Sequence, residues 1–460
     1  MNLRVVVIAA LATVLTACGG TTTTSVGVAL DNDTQTATGD VTAGAADAAS
    51  NAGAGDVSTG VDAGGAAVDA GPSCEKSKLR PPPRAEMMGV FDPKRRRLVI
   101  WGGDSGVPVC GSFAGHQVGV ADLWVYDAVC ATFKQVQTAV SPPARARGMA
   151  IYDADRDQMV IFGGRYRKAS SGPYTVFNDV WALDLETLTW KELQTTGAKP
   201  TARSTTAGGY NALTGEMLVF GGNASDNGLQ FISLDDTWAL NLKTLQWRQV
   251  EIQGSKPSKR QFHTAVVDDK NNRMFVHGGG GANAWQGPFL GDLWMVDLAK
   301  GTWNQLHKGG LGAPKGRIWS TLTYDPLNDR VLLFGGHDDG NVGNNNDTWA
   351  YDLSSGKWQT IIKAETVNKL PPKPCDFAKD FTLPNMAAPD RRSAHLAAFD
   401  RKRGEWIVFG GKTDCGLIDD VWIFDLERYE WVSQLPASQG EACIRGDNPD
   451  LCVALCNAPK

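Results

Sequence analysis

The chain has 460 residues, 45 Lys and Arg against 50 Asp and Glu, and a formal net charge of −5. Seven linker aspartates and Arg4 carry −6 between them, which leaves +1 for residues 74–460. A nearly neutral globular part without a basic stripe argues against nucleic acid as a partner. At the N-terminus, Arg4 precedes an apolar run from Val5 to Leu15 that ends in small residues. That pattern predicts a secretory signal peptide over residues 1–17, too short for a spanning helix. Residues 19–73 contain no aromatic residue, Lys, Arg or Glu. Such a composition cannot bury enough apolar surface to fold and predicts a disordered linker over 18–73.

The segment Leu15-Thr16-Ala17-Cys18 resembles a bacterial lipoprotein box. The resemblance implies cleavage before Cys18, lipid on its sulfur and new amino group, and durable anchoring. Gly19 after the lipidated Cys18 implies the outer membrane, at its periplasmic face or the cell surface.

From Arg84 onward the chain repeats itself six times. Glycine pairs stand at 102–103, 163–164, 221–222, 278–279, 335–336 and 410–411. Asp-x-Trp follows each pair, at Asp122/Trp124, Asp179/Trp181, Asp236/Trp238, Asp292/Trp294, Asp347/Trp349 and Asp420/Trp422. The Trp of that motif steps by 57, 57, 56 and 55 residues and finally by 73. An Arg precedes each unit, at 84, 145, 203, 260, 317 and 392. Within a unit, four short apolar or alternating runs are bounded by Gly, Asn, Asp or Thr, which are strand signals. Met217-Leu218-Val219-Phe220 suits a strand buried on both faces, and the glycines after it let neighbouring backbone approach closely. A fixed period of this length means one supersecondary unit copied around a ring or along a solenoid.

These repeats, from Arg84 to about Leu435, resemble the kelch-repeat β-propellers. The resemblance implies an all-β fold: a six-bladed kelch-like propeller with four antiparallel strands per blade, over residues 74–435. A WD-repeat assignment is disfavoured by the longer period and by Asp-x-Trp in place of Trp-Asp. With no spare or missing strand, the ring is expected to close by packing blade one on blade six, with a covalent staple.

Eight cysteines follow Cys18, at 74, 110, 130, 375, 415, 443, 452 and 456. In an exported chain they read as disulfides. Strand parity sets all but Cys130 on the face of the second-to-third-strand loops and blade connections. The expected pair is Cys375–Cys415, and a tail cysteine from 436–460 joined to Cys74 or Cys110 would staple the ring. Cys452-x-x-x-Cys456 lacks the partners of a zinc site.

Candidate binding residues lie on that loop face. Trp285 and Trp319 fall outside the repeat pattern, and aromatics on loops of a rigid scaffold make binding surfaces. Arg165-Tyr166-Arg167-Lys168 offers donors and an aromatic ring. Arg147, the second arginine of Ala144-Arg145-Ala146-Arg147, resembles arginines lining the ligand face of some kelch proteins. His337 opens an oxygen-rich run in which Asp338, Asp339 and Asn341 are weak calcium candidates. Dispersed histidines and the absence of a Gly-x-Ser-x-Gly elbow argue against catalysis. No cofactor is implied. The expected function is a membrane-anchored envelope binding module holding a protein or glycan on its loop face. The alternatives are a sugar-active exported enzyme, as some periplasmic kelch propellers act on sialic acids, and a structural envelope protein.

Overall fold

The computed structural model describes Cys74, residues 77–106, 119–168, 171–284, 286–338, 343–368, 382–383, 385, 387–413 and 416–438. The described residues form six antiparallel blades, each from one contiguous stretch of chain, five of them four-stranded and the sixth with the short strand Arg392–Ser393 added to its four. Blade one comprises Met88–Asp92, Arg97–Trp101, Leu123–Asp127 and Thr132–Val136. Blade two comprises Met149–Asp153, Gln158–Phe162, Val180–Asp184 and Thr189–Glu192. Blade three comprises Ala207–Asn211, Glu216–Asn223, Ser233–Asn241 and Gln246–Gln249. Blade four comprises Thr264–Asp268, Arg273–His277, Leu293–Asp297 and Thr302–His307. Blade five comprises Thr321–Asp325, Arg330–Phe334, Thr348–Asp352 and Lys357–Ile362. Blade six comprises Leu396–Asp400, Glu405–Thr413, Gly416–Asp425 and Glu430–Leu435. The expected all-β, six-bladed propeller is what the chain forms.

Each seam between blades has its own apolar core. The core between blades two and three joins Val160 and Phe162 to Met217, Leu240 and Trp247. The closing seam joins Phe91, Leu98, Ile100 and Phe133 of blade one to Leu396, Ile407, Phe409 and Val421 of blade six. Close packing of both faces of every second strand explains why those strands read as continuous apolar runs.

A polar lattice accompanies these cores. Each repeat Arg is fully buried. It forks onto the Asp of its own Asp-x-Trp, as Arg203 does onto Asp236 at 2.7 and 2.9 Å and Arg392 onto Asp420 at 2.6 and 2.6 Å. The same Asp accepts the indole N–H two residues on, at 2.7 Å for Trp238 and 2.8 Å for Trp422. Planar guanidinium and carboxylate match bidentately, which makes a buried charge tolerable.

The glycine pair links this lattice to the next blade. Gly222 N–H donates to the carbonyl of Arg260 at 3.0 Å, and Gly411 to that of Arg84 at 2.9 Å. A Cβ on Gly221 would lie 2.9 Å from the Arg260 carbonyl oxygen, and one on Gly278 2.6 Å from that of Arg317. A side chain there would push the blades apart.

The covalent staple differs from expectation. Cys74 pairs with Cys130, not with a tail cysteine or Cys110. Cys130 lies in the hairpin between the third and fourth strands, on the face opposite the loops. The assumption that Cys74 shares the loop face with Arg84 is what fails. Arg80 already reaches the loop face, where it meets the Pro436 carbonyl at 2.8 Å and Asp419 at 3.5 Å in blade six. Six residues extend to about 20 Å, and a five-residue strand rises about 17 Å. The segment from Cys74 to Arg80 is therefore long enough to run the full height of a blade. It forms a strap fixed to blade one by the disulfide and to blade six by Arg80. The expected Cys375–Cys415 pair lies outside the described residues.

Two consequences are measurable. The disulfide encloses a separation of 56 residues. Its loss in a Cys74→Ser/Cys130→Ser variant is expected to lower unfolding free energy by about 2–4 kcal/mol in denaturant titration. An unchanged midpoint would contradict the strap. His277 fills a core position that is Trp in blade one and Phe in the other four blades, and burial pushes its imidazole down to about 3. Below pH 6.5 the unfolded chain takes up a proton that the folded chain refuses. Stability therefore falls as pH drops from 6.5 toward 3, by about 2 kcal/mol between pH 7 and 5 for this group. His277→Phe should reduce that slope, as read by unfolding midpoints across pH.

Candidate functional site

Two residues after each repeat Arg, the backbone turns into the left-handed region. Glu86, Arg147, Thr205, Phe262, Trp319 and Ala394 have φ of 57, 64, 55, 57, 54 and 53°. Each such non-glycine conformation costs on the order of 1 kcal/mol and persists only when the surroundings enforce it. Here the enforcement is circular. Arg147 N–H donates to the Glu86 carbonyl at 3.0 Å, Thr205 to Arg147 at 2.7 Å and Phe262 to Thr205 at 3.2 Å. Trp319 donates to Phe262 at 2.9 Å, Ala394 to Trp319 at 3.0 Å, and Glu86 to Ala394 at 2.9 Å. Six peptide groups thus close a collar around the loop-face mouth of the central channel. Their N–H and C=O groups satisfy one another, so the mouth is distinguished by its side chains.

Those side chains are unlike one another. A cavity of about 130 Å³ opens among Glu86, Arg147, Thr205, Phe262, Trp319 and His395. Arg147 forks onto Glu86 at 2.6 and 2.9 Å. Lys412, from the second strand of blade six, also donates to Glu86. The Arg147 guanidinium lies 5.4 Å from the Trp319 ring and 5.6 Å from that of Phe262. The Lys412 ammonium sits 4.8 Å from the Trp319 ring. Phe262 and Trp319 meet edge to face at 4.8 Å. Burial alone would raise the Glu86 carboxyl. The Arg147 and Lys412 charges and hydrogen bonds outweigh it and hold Glu86 well below the ordinary carboxylate range. Beneath the collar, His263 is buried against Phe220, and burial with the Arg260 charge pushes it down to about 3.

A second, smaller cavity shares Glu86 as a wall and is bounded by Asp104, Gly119, Arg165, Tyr166, Arg167 and Tyr174. Arg165 is 8% exposed. It donates to the Gly228 carbonyl at 2.7 Å and stacks 3.9 Å from the Tyr174 ring. Arg167 lies 4.5 Å from the same ring. Among the described residues, no carboxylate forms an ion pair with Arg165 or Arg167, and the Nε of each lacks a hydrogen-bond partner. Burial, and then the Arg147 charge, push Arg165 below its ordinary value.

A family model described as the KLHDC2/KLHL20/DRC7 Kelch-repeats domain matches residues 72–279, 209–379 and 280–457. The chain belongs to the kelch-repeat family. Kelch domains commonly bind proteins. The propeller is 26% identical over 335 residues to Kelch domain-containing protein 2 of Bos taurus, covering 69% of this chain and 73% of that protein. It is 31% identical over 172 residues to Acyl-CoA-binding domain-containing protein 5 of Arabidopsis thaliana, or 37% of this chain. The match spans only 24% of that relative's length. The solved structure of YjhT shares the fold, at a TM-score of 0.53 and 15% identity, over 77% of this chain and 98% of that one.

The kelch propeller brings Arg147 and Trp319 together in the mouth, with Arg165 and Tyr166 in the adjoining cavity. His337 stands apart, 6.1 Å from the Phe289 ring. Phe289 belongs to an apolar cluster with Phe262 and Ile318 that continues outward from Trp319. Asp338 is buried on a short strand paired with Arg317–Ile318, 3.7 Å from Lys315. Trp285, Asp339 and Asn341 lie outside the described residues. Glu86, Phe262 and Lys412 were not anticipated. A signal existed for two of them: Arg147 and Trp319 both stand two residues after a repeat Arg, and so do Glu86 and Phe262.

Proposed function

We propose that this kelch propeller is a binding module whose loop face receives an anionic group of a protein or glycan partner. The anion sits at Arg165 and Arg167, and its apolar neighbourhood lies on Trp319 and Phe262. The observation that carries this reading is Arg165. The nearest carboxylate, Glu86, is bonded to Arg147 and Lys412, so a buried guanidinium with no ion pair of its own is costly, and a ligand's anion would pair with it directly. The six lattice arginines, by contrast, are each neutralised within their own repeat. Binding is favoured over proton-transfer chemistry because burial and neighbouring charges hold Glu86 and the two histidines of the mouth, His263 and His395, each in one protonation state near neutral pH. Glu86 stays ionised and His263 neutral. The Thr206 hydroxyl donates to the Phe220 carbonyl at 2.8 Å.

On this reading Cys18 carries lipid, residues 18–73 form a tether, and the propeller is displayed at a bacterial outer membrane. That part of the proposal draws on the lipoprotein-like N-terminus alone.

The test exposes the full chain and an Arg165→Gln variant to arrays of acidic peptides and acidic glycans. Saturable capture that weakens with salt, and that drops at least about tenfold in the variant, is expected for a charge-assisted contact. The array that responds identifies the partner class. Equal capture by both proteins would contradict the site.

A further inference from the structure

We propose that the channel mouth is itself a carboxylate site, and that its present occupant is the protein's own Glu86. The inference builds on the binding reading and adds a second subsite with a built-in competitor.

The Glu86 carboxylate is surrounded as a bound ligand would be. One oxygen accepts Arg147 Nε at 2.6 Å, and the other accepts an Arg147 terminal N–H at 2.9 Å and the Lys412 ammonium. Glu86, Arg147 and Lys412 are exposed by 7%, 5% and 9%. The planar fork fixes the orientation of a carboxylate, and the ammonium adds a second donor from another direction. Trp319 and Phe262 wall the cations on the far side, and the 130 Å³ cavity leaves room beside the carboxylate for a further group. Blades one, two, four, five and six all contribute.

This cluster differs in kind from the ion pairs that hold the propeller together. The lattice pair occurs six times, at the seams, between an Arg and an Asp of the same repeat. The Glu86 cluster occurs once, at collar positions that elsewhere carry Thr, Phe, Trp and Ala. Its acid stands on left-handed backbone and its cations come from other blades. Strained residues with charged, convergent neighbours are characteristic of ligand sites.

Glu86 thereby sets the specificity of the mouth. A free small carboxylate cannot compete with one that is already tethered, because the tethered acid is present at high effective concentration. A partner's acid displaces Glu86 only when the same molecule also engages Trp319 or the Arg165 cavity. The site accordingly selects a partner with two acidic groups, or with one acidic group beside an apolar one, and rejects free small anions.

The experiment is thermal unfolding of the full chain and its Glu86→Ala and Glu86→Gln variants. Each is titrated with sodium acetate against sodium chloride at equal ionic strength. Glu86→Ala is expected to melt several degrees below the parent in chloride, because two buried cations lose their counter-charge. Acetate should restore most of that loss saturably, with a dissociation constant of order millimolar, as the few atoms of so small an anion dictate. With Arg165→Gln added to remove the neighbouring anion site, the parent, whose mouth is filled, and Glu86→Gln, whose amide occupies the same space, should gain no more from acetate than from chloride. If Glu86→Ala does not fold in chloride, its refolding yield is compared in the two salts, and recovery confined to acetate is expected. In the Arg165→Gln background, equal behaviour of Glu86→Ala in acetate and chloride, or equal protection of the Glu86 protein by acetate, overturns the proposal. Arg165→Gln should leave the acetate rescue of Glu86→Ala intact. Failure of this inference is therefore distinguishable from failure of the Arg165 reading.

Discussion

The buried pairing of each repeat Arg with the Asp of Asp-x-Trp is the interaction on which the rest of the structure depends. It holds the entry of each blade's innermost strand against its own third strand. The carbonyl of the same Arg then accepts the glycine N–H of the preceding blade. One residue thus ties strand to strand within a blade and blade to blade around the ring. The apolar seam cores supply most of the burial, but they are non-directional. The guanidinium forks add orientation, and they place the residue two positions later at the same point of the channel rim in every blade.

That placement turns a structural repeat into a recognition surface. Because the collar's peptide groups bond to one another, its backbone is alike at all six positions while its side chains are free to differ. The differences fall in sectors: an acid and an arginine on blades one and two, aromatics on blades four and five, and small side chains on blades three and six. Lys412, from the second strand of blade six, and Arg165, just past the second strand of blade two, extend the cationic side. The strap from Cys74 to Arg80 secures the seam between blades one and six, where no chain continuity exists.

Much of this was legible in the residues. Glycine pairs, Asp-x-Trp and the preceding Arg revealed six units, because close backbone approach and a buried fork each demand one residue type at one spacing. Arg147 and Trp319 stood out as departures from the pattern, and the propeller places both at the mouth. Their shared register with Glu86 and Phe262 follows from the collar, which depends on hydrogen bonds between blades about 57 residues apart. Lys412 gave no signal, since it follows a glycine pair and reads as a solvated loop residue. Cys130 was set on the correct face, but its partner depended on the path of the strap, which no periodicity encodes.

The account rests most directly on the rigidity of the collar, and native-state hydrogen exchange of the full chain tests it. The amides of Glu86, Arg147, Thr205, Phe262, Trp319 and Ala394 should exchange among the slowest in the protein. They should open together in one cooperative unit, because each is bonded to the next and all hang from the arginine lattice. Exchange of these amides at the rate of exposed turns such as Gly310–Gly312, or independently of one another, would contradict the collar as the frame of the binding site.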